Sequence, residues 1–123
     1  AGVRLAMIDS SFPSYRGIAR DATAGSALGP LATLAAPALP GPDKDPVTAL
    51  KSISVPLVFV HGTRDAVIPH ANSDALHAAA PATSRLWKIP EADHVAALAL
   101  PGPWRERLVA AIDAAVSQVA PRP

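Results

Sequence analysis

The run Val55-Pro56-Leu57-Val58-Phe59-Val60 constrains the fold of this 123-residue chain more than any other segment. It is continuous, β-branched and aromatic, the composition of a central strand in a parallel sheet with both faces buried. Such a strand requires parallel neighbours and helices to cover it. His61-Gly62-Thr63-Arg64-Asp65 then breaks it.

Two further strands are expected. Val3 to Ile8 is almost wholly apolar and reads as a strand buried on both faces, ending at Asp9-Ser10-Ser11. Arg85 to Ile89 alternates in polarity, which places it nearer a sheet edge. Helices are expected over 15–27, from Asp45-Pro46 to about Ser52, over 72–80 and over 103–119. Asp45 acts as an acidic N-cap and Pro46 takes the first helical position. The last helix has one packing face of Trp104, Leu108, Ile112, Ala115 and Val119. Residues 29–46 hold five prolines, which forbids a long helix, so this stretch reads as an irregular, lid-like excursion. The expectation is one α/β domain over 1–123, with about three parallel strands and flanking helices.

Composition excludes several function classes. A net charge of +1 without a basic cluster argues against a nucleic-acid partner. The absence of cysteine removes disulfides, thiolate catalysis and zinc–thiolate sites. No apolar run has the length of a membrane span and no secretory signal is visible, so a cytoplasmic location is expected. Alanine and proline richness, with arginine above lysine, points to a GC-rich bacterial source. With aromatics at 4%, the core should be thin.

In an open parallel sheet, ligands bind beyond the carboxyl ends of the strands. Asp65 follows the second strand and His94 the third, and one helix and one strand between them bring both loops to the same end. A carboxylate there can fix an imidazole tautomer and stabilise the imidazolium formed when histidine takes a proton. Asp93 is a weaker alternative for the acid. His61 reads as structural, ending a buried strand before a tight glycine turn. His70 and His77 read as exposed, Ser10 and Ser11 as strand-end or cap residues, and Trp87 and Trp104 as core or groove. A metal site from His61, Asp65 and His70 has no ligand geometry fixed by the sequence.

Val55 to Pro69, with its His61-Gly62, two variable residues and Asp65, resembles the acid-bearing strand and loop of α/β-hydrolases. It is closest to the serine aminopeptidase, prolyl-oligopeptidase and dienelactone-hydrolase branches. Trp87-Lys88-Ile89-Pro90-Glu91-Ala92-Asp93-His94 resembles their last strand and histidine loop. Val3 to Ala19 resembles the strand and loop that follow the nucleophile helix. The resemblance implies a Ser-Asp-His triad with Asp65 as the acid and His94 as the base, acting on an ester, thioester or peptide-like bond without cofactor or metal. One departure dominates: no serine here stands in a Gly-x-Ser-x-Gly elbow. The expectation is therefore a C-terminal hydrolase portion, inactive alone, whose nucleophile-bearing part lies upstream. Its partners would be a small acyl or peptide substrate in the full-length protein, and an N-terminal hydrolase half or a second copy at the exposed sheet edge. The alternatives are a non-enzymatic half-domain that docks through its first strand, or a degenerate relative that binds acyl compounds without turnover.

Overall fold

The computed structural model describes residues 2–96, 98, 99 and 101–117. Three strands form a parallel sheet in the order β1 (Ala6–Asp9), β2 (Leu57–Gly62), β3 (Arg85–Ile89). The register pairs Ile8 with Phe59 and Phe59 with Leu86, so β2 is hydrogen-bonded on both sides. All six β2 residues are buried, as expected of an apolar strand placed centrally.

The alternation of side chains along β2 divides the core in two. Leu57 and Phe59 join Leu50 and Leu76 on one face, and Val58 and Val60 join Trp87 and Ile89 on the other. The first face is covered by α3 (Pro46–Ala49), its 3₁₀ extension Leu50–Ser52, and α4 (Ala71–Ala79). The second is covered by α5 (Pro103–Ser117) through Trp104, Leu108 and Ala111. Fully burying a side chain such as Phe59 contributes about 1.5–3 kcal/mol. The result is an α/β arrangement with helices on both faces of a parallel sheet.

Several local expectations are corrected. Strand β1 starts three residues later than the apolar run suggested, and its four residues are half-buried. Among the described residues its outer edge pairs with no strand, which leaves that side open. Helix α1 (Tyr15–Thr23) ends before residue 27 because Ala24 turns extended and Gly25 adopts φ 74°. Its N-cap is Ser14, whose hydroxyl accepts from the Gly17 amide at 2.9 Å.

The proline-rich stretch is more ordered than an irregular excursion. Helix α2 (Gly29–Ala35) and two 3₁₀ turns, Ala36–Ala38 and Pro42–Lys44, carry prolines in their first turns, where the missing N–H has no helical partner to lose. Asp45 occupies the N-cap position of α3 but makes no side-chain cap bond. Its carboxylate accepts instead from the Tyr15 amide at 2.9 Å, 30 positions away, tying α1 to α3. On α5, Ile112 is 44% exposed and Ala111 takes its place against the core. Val119 lies outside the described residues. No described helix is long and apolar enough to cross a membrane.

Candidate active site

Each loop at the carboxyl end of the sheet is held by its neighbour. After β2 the chain turns at Gly62, where a Cβ would fall well inside contact distance of the Ala92 carbonyl. Only glycine permits that approach. The closeness is used: the Thr63 amide donates to the Ile89 carbonyl and the Arg64 amide to that of Ala92, both at 3.0 Å. The Thr63 hydroxyl accepts from the Glu91 amide at 3.0 Å, and Arg64 pairs with Glu91 at 3.0 Å on the surface. The β2 and β3 loops are thus stitched together over their whole first turn.

This stitching brings Asp65 and His94 within hydrogen-bond distance. His94 Nδ1 lies 2.9 Å from Asp65 Oδ2, across 29 positions of sequence. The Asp65 side chain is fully buried and that of His94 is 33% exposed. Nδ1 faces a carboxylate, so it carries the proton and leaves Nε2 as the basic nitrogen. Nε2 has no hydrogen bond among the described residues.

The carboxylate of Asp65 is also held from behind. Oδ1 accepts from the Val67 amide at 2.9 Å and the Ile68 amide at 2.8 Å, an arrangement characteristic of an acidic residue opening a turn. Burial pushes the Asp65 pKa up, but the Ile68 amide, His94, the Val67 amide and the Ser10 hydroxyl pull it down, and the balance lies below the ordinary carboxylate value. The acid is therefore ionised through the neutral pH range.

His61 is fully buried. Its Nε2 stands 2.9 Å from the Ile68 carbonyl and 3.1 Å from Asp65 Oδ2, so Nε2 carries hydrogen and donates toward both oxygens. Its Nδ1 has no partner among the described residues. Asp65 Oδ2 thus sits between two imidazoles, one sealed in the core and one open to solvent.

The other sequence candidates fall elsewhere. Asp93 follows the turn with its carbonyl, which accepts from the Ala96 amide at 3.3 Å, and the imidazole of His94 has Asp65 as its carboxylate partner. His70 and His77 are half-buried rather than exposed. His70 lies 4.0 Å from Asp74, while His77 contacts the Ser84 carbonyl at 3.3 Å and meets Phe59 edge-on. Trp87 is buried, and Arg107 lies over both it and Trp104, 5.5 and 5.3 Å from the ring centroids. Ser10 is buried against the His94 loop, a position that its strand-end location in the sequence does not distinguish from a cap.

No protein-family model matches the chain. Among curated proteins it is similar to the uncharacterized protein YfhR of Escherichia coli (strain K12), 32% identical over 95 residues, covering 76% of this chain and 30% of that protein. The protein of the same name from Salmonella typhi is 32% identical over 96 residues, covering 77% of this chain and 30% of its own length. The chain therefore spans less than a third of the length of these relatives. Among solved structures it is similar to the esterase domain of a Rhodothermus marinus protein, with a TM-score of 0.54 and 13% identity, covering 76% of this chain and 44% of that one. At that identity the likeness is one of fold.

Proposed function

We propose that this chain carries the acid and base of a serine hydrolase of the α/β-hydrolase family, with the nucleophile supplied from outside these 123 residues. The observation that supports the reading is the 2.9 Å contact between His94 Nδ1 and Asp65 Oδ2 at the carboxyl ends of adjacent parallel strands. An esterase domain among the similar folds agrees with it.

In this reading a serine Oγ attacks the carbonyl carbon of an ester, thioester or peptide-like substrate. Its proton passes to His94 Nε2, and the imidazolium is stabilised by the ionised Asp65. His94 then returns that proton to the leaving group as the carbonyl re-forms, leaving an acyl-enzyme. Water, deprotonated by the same Nε2, releases the carboxylic acid and restores the serine.

The test uses p-nitrophenyl ester hydrolysis. In a longer chain that includes a Gly-x-Ser-x-Gly segment, His94→Ala should abolish turnover and Asp65→Asn should lower kcat by about 10⁴. The 123-residue chain alone should show no turnover. Robust hydrolysis by that chain, or full activity of the longer His94→Ala protein, refutes the assignment.

A second reading is favoured by a different observation. The outer edge of β1 is unpaired among the described residues, and Val3, Ile112 and Val116 are exposed. An open strand edge beside apolar residues suits docking to another chain. Light scattering after size exclusion separates the readings, because a compact and stable monomer counts against docking.

A further inference from the structure

We propose that Ser10 is a positioning residue that fixes the His94 loop, and through it the imidazole, against Asp65. The inference rests on the acid–base reading of that pair.

Ser10 closes β1 at the same end of the sheet as both loops and is 4% exposed. Its backbone is left-handed, φ 48°, a conformation uncommon outside glycine, asparagine and aspartate. Its Oγ accepts a hydrogen bond from the Val95 amide at 3.2 Å. Val95 directly follows His94 and is also left-handed, at φ 54°. A β-branched residue enters that region only where its surroundings impose it.

Two strained residues 85 positions apart therefore meet through one hydrogen bond beside the imidazole. The Ser10 hydroxyl proton points to Asp9 Oδ1 at 3.1 Å, which leaves its lone pairs for the Val95 amide. The Asp65 carboxylate is the alternative acceptor for that one proton, and either choice leaves the Val95 bond intact. A serine that merely ended a strand could be satisfied by water and would need no left-handed backbone. The strain on both partners is accounted for if the bond sets where the loop stands. Without it, Val95 would relax toward an ordinary φ and swing the adjoining His94 away from Oδ2.

The experiment is ¹⁵N NMR of the 123-residue chain, comparing wild type with Ser10→Gly. Glycine accepts φ 48° freely, so this change removes the hydroxyl while relieving the backbone. Two signals are read: the tautomer of neutral His94 and the exchange rate of the Val95 amide. The expected result is Val95 exchange about tenfold faster, the scale of one lost hydrogen bond, with the Nδ1–H tautomer giving way to Nε2–H. With the wild type in the Nδ1–H form, either signal remaining at its wild-type value overturns the proposal. Val95→Gly is a second arm, since it removes the strain but keeps the hydroxyl and the amide. It should retain the wild-type tautomer, and its loss there would show that Val95 packing, not Ser10, places the ring. A wild-type chain already in the Nε2–H form, with a Val95 amide that only Ser10→Gly deprotects, would sink the acid–base reading and leave the loop link standing.

Discussion

Gly62 and the carbonyl of Ala92 pack so closely that no side chain fits between the loop of Asp65 and the loop of His94. Gly62→Ala should therefore push the two loops apart and break the Arg64–Ala92 and Thr63–Ile89 backbone bonds. The obstacle is backbone, which cannot rotate aside, so a loss of about 3 kcal/mol is expected, at the upper end for overpacking. Urea denaturation measures it, and an unchanged midpoint would show that the contact is slack.

Asp65 makes stability depend on pH in a defined direction. Its folded pKa lies below the unfolded value, so its contribution is fully present above about pH 4 and is lost as pH falls through the folded value. Asp65→Asn should destabilise the chain at pH 7, and the difference from wild type should shrink in acid. Chemical denaturation at several pH values checks the sign. A gap that widens on acidification would contradict the geometry.

His61 donates from a fully buried ring to the Ile68 carbonyl and the Asp65 carboxylate. His61→Ala leaves a cavity and removes a donor from both oxygens, for a cost of about 3 kcal/mol. His61→Gln keeps a donor of similar reach and should lose clearly less. Equal losses in the two variants would mean that volume rather than hydrogen bonding matters there.

The reach of Asp45 to the Tyr15 amide predicts an effect remote from its own helix. Asp45→Ala should cost about 1 kcal/mol, and amide exchange should accelerate at the start of α1 more than within α3. Exchange accelerated only at 47–49 would assign Asp45 an ordinary capping role instead.

How far the sequence revealed this arrangement depends on how local the cause is. Strand β2 is legible from the apolar run Val55 to Val60, which can satisfy itself only in the middle of a sheet, although the strand starts at Leu57 and continues through His61 and Gly62 instead of breaking there. Strand β3 is legible to its ends, since its alternation matches its half-covered position. The meeting of Asp65 and His94 followed from topology alone, because two loops at the same end of paired parallel strands are neighbours. The cases that resisted are non-local. Ser10 looks like any strand-end serine until Val95 arrives from 85 residues away, and the Asp45 carboxylate abandons its own helix for Tyr15. Proline density in 29–46 reads as an irregular, lid-like excursion, whereas Pro30, Pro37 and Pro42 each stand in the first turn of a short helix.

The parallel ladder between β2 and β3 has a mechanical consequence. Five backbone pairings run from Val58–Arg85 to Gly62–Ile89 and end directly beneath the two loops. To separate the bases of the two loops, a force would have to shear this rail as well as unpick the Thr63 and Arg64 amides. The segment between Gly29 and Lys44 contributes nothing to the rail, so its sequence could be exchanged while the spacing of the pair stayed constant. The chain is in this sense a rigid jig with an interchangeable rim.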